Sequence, residues 1–212
     1  MRGRIISDAD HRRVAAAIRA AETGTSGEIY CVVARTSASY FAPAAFMLAA
    51  ATVVLGPIVA WVANFWWIEI PAIILAVAQL VALASALLMI WVFPALRIHF
   101  VPKSMRYSHA HDNAVRQFLS RNIHVTTERT GVLIFVSLAE RYAEVVADAG
   151  INQKVPQHQW NTLVEALVRR AAEGRIADGF IDAVEAVGAL LAGHFPARAV
   201  EPNELDDHVA EI

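Results

Sequence analysis

Two long apolar segments decide the fold of this chain. They read FMLAAATVVLGPIVAWV from Phe46 to Val62 and AIILAVAQLVALASALLMIWVF from Ala72 to Phe93. A membrane-spanning helix needs about 20 apolar residues, because about 30 Å of hydrocarbon is crossed at about 1.5 Å per residue. The uncharged runs that contain them, Thr36–Ile68 and Ile70–Leu96, both exceed this length. The sequence therefore predicts a transmembrane helical hairpin over residues 41–96, with spans at about 43–64 and 71–93.

The overall composition agrees with a membrane protein. Hydrophobic residues make up 57% of the 212 residues and charged residues only 18%, against about 45–50% and about 25% in soluble domains. A net charge of −2 argues against a nucleic-acid partner. The single cysteine, Cys31, cannot form an internal disulfide. The alternative reading is a pair of buried helices in a soluble core, although the remaining residues are few to enclose both.

Basic residues predict the orientation of the hairpin. Glu69 is the only charged residue between Arg35 and Arg97. Lys103 and Arg106 follow Arg97 closely, so both ends of the hairpin carry basic residues and its turn carries none. Since basic flanks stay in the cytoplasm, we expect both termini to be cytoplasmic and the first span to be an uncleaved anchor.

The other residues predict an α/β domain. Three segments have the composition of strands: EIYCVVA at 28–34, GVLIFVS at 131–137 and RYAEVVAD at 141–148. Helices are predicted after Ser7 and over about 108–121, 156–172 and 178–192. The short link between the last two strands favours an antiparallel hairpin.

The first strand needs a partner, because an isolated strand leaves its backbone groups unsatisfied. Its candidate partners all follow the membrane hairpin, and a hairpin of two spans returns the chain to the side it left. We therefore expect one cytoplasmic domain formed by residues 1–40 and 97–196. An acidic, flexible tail is expected over 197–212.

The order of these elements resembles the TPM domain family. The most specific match is ERTGVLIFVSLAERYAEVVADAGI at 128–151, and the resemblance covers about 1–36 and 105–196. It is strongest to bacterial TPM-domain membrane proteins, which implies a multi-pass protein of the bacterial inner membrane. It also implies a three-layer α/β fold with a mixed central sheet flanked by helices. Some family members are reported as phosphatases or calcium binders, and others act as non-enzymatic auxiliaries.

Candidate catalytic residues are few. The sequence contains no GxxxxGK[ST], GxGxxG or GxSxG motif. Cys31 lies in mid-strand, which favours a packed thiol over a nucleophile. His109 and His111 are two residues apart, so on a helix they point in different directions, and a solvated face is favoured over a metal site. Catalytic residues therefore stay unassigned.

Two carboxylates are candidate metal ligands. Asp148 ends a strand just before Ala149-Gly150, and Glu28 opens another strand and can approach it. Turn capping by Asp148 is the alternative reading. Glu144 shares a strand face with Asp148 but lies about 13 Å away at about 3.3 Å per residue, which does not suit an acid–base pair.

These observations favour a non-catalytic interaction or auxiliary module anchored in the membrane. The expected partners are the lipid bilayer, another membrane protein and a second copy of the chain. No cofactor is expected, and Ca²⁺ or Mg²⁺ is implied by the resemblance only. The alternative is a metal-dependent, phosphatase-like hydrolase. A small transporter is disfavoured because the spans contain no ionisable group.

Overall fold

The computed structural model describes residues 4–125, 129–197 and 208–212, without the side chain of Val125. The chain divides into two compact units. The sheet unit comprises Met1–Ser37 and Tyr107–Ile212, and the hairpin unit comprises Ala38–Arg106.

The elements follow the order expected for an α/β domain with two inserted apolar helices. They are α1 (Asp8–Glu22), β1 (Glu28–Ala34), α2 (Phe41–Phe65), α3 (Ala72–Val92), α4 (Lys103–Ser120), β2 (Gly131–Ser137), β3 (Tyr142–Ala147), α5 (Ala149–Asn152), α6 (Gln157–Ala172), α7 (Ile176–His194) and β4 (Val209–Glu211). Short 3₁₀ helices cover Pro94–Phe100 and Ile123–Val125. The helix start predicted at Ser7 is confirmed, because its side chain accepts a hydrogen bond from the Asp10 amide.

The four strands form one mixed sheet in the order β3-β2-β1-β4. β1 runs parallel to β2, from Glu28 opposite Gly131 to Ala34 opposite Ser137. β2 and β3 are antiparallel, as their short link predicts. A parallel pair needs a crossover of a dozen or more residues, and here α2, α3 and α4 provide it. The expected pairing of β1 with a strand beyond the apolar segments is confirmed.

Both faces of the sheet are buried. Ile29, Cys31 and Val33 of β1 belong to a core that α1, α6 and α7 complete. The alternate side chains Tyr30 and Val32 pack in a second cluster, whose α4 members are Ala114 and Phe118. Strands buried on both faces have continuous apolar sequences rather than alternating ones. This explains GVLIFVS, in which every residue is buried, and it confirms the α/β fold with helices on both sides.

The hairpin unit reverses the usual arrangement of apolar side chains. α2 and α3 are long and apolar enough to cross a membrane, and only 6% of each hydrophobic window is buried. The two helices of a soluble core would be mostly buried, so that alternative does not fit. Within the unit, Gln79 of α3 donates a hydrogen bond of 3.2 Å to the Thr52 carbonyl of α2. Gln79 therefore faces the partner helix, where Gly56 leaves space for it.

Three expectations need correction. The prediction of a flexible tail is wrong for its last residues, because Val209–Glu211 form β4, which pairs parallel with β1. Residues 198–207 of the predicted tail lie outside the described part. α4 begins at Lys103 rather than 108, since its first turn lies before the apolar stripe. α7 spans Ile176–His194 and exceeds its predicted range at both ends.

Candidate functional site

The two predicted metal ligands lie in one row of the sheet. Glu28 is opposite Gly131 in the pairing of β1 with β2. On the other side of Gly131, the Asp148 amide donates to the Gly131 carbonyl at 3.0 Å. Residues paired across neighbouring strands point to the same face, so alternation places both carboxylates on the face that α4 covers. The structure thus brings Glu28 and Asp148 to the same end of β1 and β2.

Asp148 is buried and only partly satisfied. It is 9% exposed and caps α5, since its Oδ1 atom accepts a hydrogen bond from the Ala149 amide. This is the turn-capping role that the sequence left open. Its Oδ2 atom is buried and has no hydrogen-bond partner among the described residues. A buried carboxylate oxygen without a donor is costly.

Gly131, which lies between Glu28 and Asp148, allows the backbone at Ile123 to approach β2 closely. A Cβ atom at this position would lie 2.2 Å from the Ile123 carbonyl oxygen, so no other residue fits without a shift of the backbone. Among the described residues, no group of three or more His, Cys, Asp or Glu side chains could hold a metal. Ca²⁺ takes about six to eight oxygen ligands, and the row supplies two carboxylates. Glu128, next to this row in sequence, lies outside the described residues.

His111 belongs to a cluster that the sequence analysis missed. Its Nδ1 atom lies 2.9 Å from Oε1 of Glu144, and the Tyr142 hydroxyl donates to Oε2 of Glu144 at 2.9 Å. The Tyr107 ring lies 5.3 Å from the Tyr142 ring. Partial burial, followed by the Glu144 charge, raises the pKa of Tyr142 well above its usual value, so this hydroxyl stays protonated at neutral pH. The carboxylate therefore orients the imidazole of His111, which is 53% exposed.

The signal for this cluster is present in the sequence but is split between two elements. Residues 107, 111 and 118 share one face of α4, and Tyr142 and Glu144 share one face of β3. Nothing in either pattern gives the register between helix and strand. The interpretation of His111 as part of a solvated face is therefore incomplete.

A second polar cluster is buried at the opposite end of β1 and β2. Glu140 is 2% exposed and Ser137 fully buried, and the Ser137 hydroxyl donates a short hydrogen bond to Glu140. The Glu140 carboxylate also accepts from the Ser37 amide at 2.8 Å and the Thr36 hydroxyl at 3.2 Å. Asn113 of α4 donates to the Ser37 hydroxyl at 3.4 Å. These bonds join the end of β1 to the turn between β2 and β3.

Cys31 is a packed side chain, as predicted. It is fully buried in the sheet, and burial strongly raises the pKa of its thiol. The nucleophilic form of cysteine is the thiolate, which this environment suppresses at neutral pH.

Comparisons with known proteins agree with this fold. The family model described as TPM domain, named TPM phosphatase, matches residues 94–190. The NMR structure of the BA42 protein from the psychrophilic bacterium Bizionia argentinensis has a TM-score of 0.61 with 19% identity. The match covers 100% of this chain and 98% of that one, and at this identity it shows a shared fold alone. No curated protein matches the sequence. The family model thus supports the resemblance to the TPM domain family over residues 94–190, which include the motif at 128–151.

Proposed function

We propose that this chain is a bacterial inner-membrane protein whose TPM domain acts as a non-catalytic interaction module on the cytoplasmic side. The observation that carries the proposal is the exposure of α2 and α3. Trp67 is 95% exposed, Phe65 73% and Val53 69%. Exposed apolar surface costs about 25 cal/mol per Å² in water, and a lipid bilayer is the solvent in which this cost disappears.

The ends of the hairpin support the proposed orientation. Trp61, Trp66 and Trp67 lie in or next to the turn between the helices, where aromatic side chains suit the membrane–water boundary. Arg97 follows α3, and its Nε atom donates to the Ile90 carbonyl at 2.8 Å. Its guanidinium also lies 5.2 Å from the Phe41 ring. A cation held at the end of α3 favours a cytoplasmic location for the segments before α2 and after α3.

The roles of the reactive side chains favour binding over catalysis. Cys31 is packed in the core, and Ser137 and Glu140 are used to join strands inside the sheet unit. A nucleophile needs a neighbouring base and access to its substrate, and burial denies that access to Cys31 and Ser137. The domain then serves as a rigid surface for a second membrane protein or another copy of the chain.

Topology is tested by labelling in intact cells. The turn residue Trp67 is replaced by cysteine in a Cys31→Ala background, and Ser108→Cys is the matched control. We expect a membrane-impermeant maleimide to label the first variant in intact cells and the second only after lysis. The reverse pattern, or extraction of the protein by alkaline carbonate, contradicts the proposal.

The interaction role is tested by cross-linking the full-length protein in membranes. A photoactivatable residue at exposed positions of α4 and α6 is expected to capture one membrane protein, or a second copy, repeatedly. If the captured proteins differ at random between preparations, the proposed interaction role is contradicted.

A metal-dependent, phosphatase-like hydrolase is the second candidate. The buried Oδ2 atom of Asp148 favours it, because a cation would satisfy an oxygen that lacks a donor. The test is hydrolysis of p-nitrophenyl phosphate by the purified full-length protein with Ca²⁺ or Mg²⁺. Turnover that Asp148→Asn and Glu28→Gln abolish, while Asp182→Asn preserves it, would replace the interaction role with this one. Equal signals from all four proteins would reject the hydrolase.

A further inference from the structure

A cleft at the opposite edge of the sheet from β3 carries unbalanced positive charge. Its volume is about 860 Å³, and its walls come from the start of α1, the end of α4 and β4. Sites for small molecules usually have about 300–1,000 Å³. It is separate from the row of Glu28 and Asp148, neither of which lines it.

The carboxylates of this cleft already have partners. Glu211 accepts hydrogen bonds from the amides of Ile5 at 2.9 Å and Ile6 at 3.0 Å, and from His11 at 2.9 Å. Although partial burial opposes the shift, these bonds lower the pKa of Glu211 below its ordinary value. Asp8 is paired with Arg4. Both carboxylates of the cleft are therefore held by protein groups, and its three arginines outnumber them.

Arg12 and Arg121 are the two guanidinium groups of the cleft that lack a charged partner in the described part of the chain. Among the described residues, neither Arg12 nor Arg121 forms an ion pair with a carboxylate. Arg121 instead donates to neutral atoms, the Tyr30 hydroxyl at 2.6 Å and the Gln117 side chain at 3.4 Å. Its guanidinium also lies 5.2 Å from the Tyr30 ring. These contacts fix the position of Arg121 without offsetting its charge.

We propose that this cleft binds a phosphate group between Arg12 and Arg121. The planar guanidinium fork matches the geometry of phosphate oxygens and binds them with two hydrogen bonds. Tyr30 is 3% exposed and holds Arg121 in place before a ligand arrives, which reduces the entropy lost on binding. His208 lies against the same tyrosine, with ring centroids 5.6 Å apart, and lines the cleft as a further donor. The phosphate is carried by a soluble ester or by a lipid headgroup, and it is bound rather than hydrolysed.

Two experiments on the full-length protein distinguish these sources. In phosphatidylcholine nanodiscs, titration calorimetry with glycerol 3-phosphate measures binding of a soluble ester. In nanodiscs that also contain phosphatidic acid, native mass spectrometry measures the lipid retained by the protein. Arg12→Gln and Arg121→Gln are compared with the wild type, and Arg175→Gln is the control, since Arg175 is a surface residue already paired with Asp178.

The expected result is a loss of at least tenfold in binding for both cleft variants and no change for Arg175→Gln. If the cleft variants lose binding of glycerol 3-phosphate, the ligand is a soluble ester. If the wild type retains only phosphatidic acid and the cleft variants lose it, the ligand is a lipid headgroup. Absence of binding to both, or equal binding by Arg12→Gln and the control, overturns the proposal. Arg12 is exposed, so Arg12→Gln is expected to fold and tests the proposal even if Arg121→Gln fails to fold. Neither result bears on the proposed membrane topology, which maleimide labelling tests separately.

Discussion

The sheet unit and the hairpin unit follow opposite rules for apolar side chains. In the sheet unit, Phe135 and Phe180 are fully buried, whereas in the hairpin unit Phe46 is 68% exposed and Trp61 71%. The polar contact of the hairpin, by contrast, lies between its helices, where Gln79 meets Thr52. The difference is the one expected if, as proposed, water is the solvent of the sheet unit and lipid that of the hairpin unit.

The largest effect is expected from removing a phenylalanine from each unit. Phe135→Ala leaves a cavity in the buried sheet and is expected to lower the free energy of unfolding by about 3–5 kcal/mol. Phe46→Ala removes a side chain that no core encloses and is expected to cost less than about 0.5 kcal/mol in detergent. Denaturant unfolding of the full-length variants measures both. Equal losses would show that the hairpin packs like a soluble core.

The next effect is expected at the buried carboxylate of the sheet unit. Glu140→Ala leaves the Ser37 amide and the Thr36 and Ser137 hydroxyls without this acceptor. The expected loss is about 3 kcal/mol, since buried donors left unsatisfied each cost about 1–3 kcal/mol. Glu140→Gln keeps an acceptor and should lose less, and Glu165→Ala on exposed α6 is the control. A loss no greater than that of Glu165→Ala would remove the structural role of Glu140.

A smaller effect is expected inside the hairpin. Gln79→Leu removes the hydrogen bond to the Thr52 carbonyl, and such contacts between membrane helices contribute about 0.6 kcal/mol. Unfolding in mixed detergent micelles, with Ser85→Ala as control, measures this loss. Ser85 donates within its own helix, to the Val81 carbonyl. Ser85→Ala should therefore change the free energy of interaction between the two helices little. A loss above about 2 kcal/mol would mean that this contact holds the hairpin together.

The smallest effect is a dependence of stability on pH at β4. The pKa of Glu211 is lowered in the folded state, so its contribution is present above the unfolded-state value of about 4.5 and is lost as the pH falls through the lower, folded-state value. Glu211→Gln should therefore flatten the stability profile in acid. Thermal unfolding between neutral pH and the acid limb measures this change, and identical acid limbs for both proteins would contradict it.

Much of the fold could be predicted because it depends on patterns local in sequence. The three longer strands, α1, α6 and both apolar helices follow periodicity and end signals that single segments carry. β4 could not be found this way, because its three residues, Val209–Glu211, form a strand only through the open edge of β1. Short strands of this kind are specified by tertiary pairing rather than by propensity.

The candidate site was predictable only in part. The approach of Glu28 and Asp148 could be predicted because each lies at the end of a recognisable strand. The contacts of His111 with Glu144 and of Glu140 with Ser37 join residues far apart in sequence. Their geometry depends on how α4 and the strand ends are packed, which residue patterns alone do not determine.

The order of the strands has a consequence for biosynthesis. Both neighbours of β1 in the sheet are encoded after it, at Gly131–Ser137 and Val209–Glu211. At about 5–20 residues per second, β1 is made seconds before β2, and the apolar helices α2 and α3 are synthesised in the interval. Its hydrogen-bonding edges must meanwhile stay unpaired or be shielded by a chaperone. The sheet is complete only after Val209–Glu211 leave the ribosome, so a stop codon before Val209 would leave one edge of β1 open.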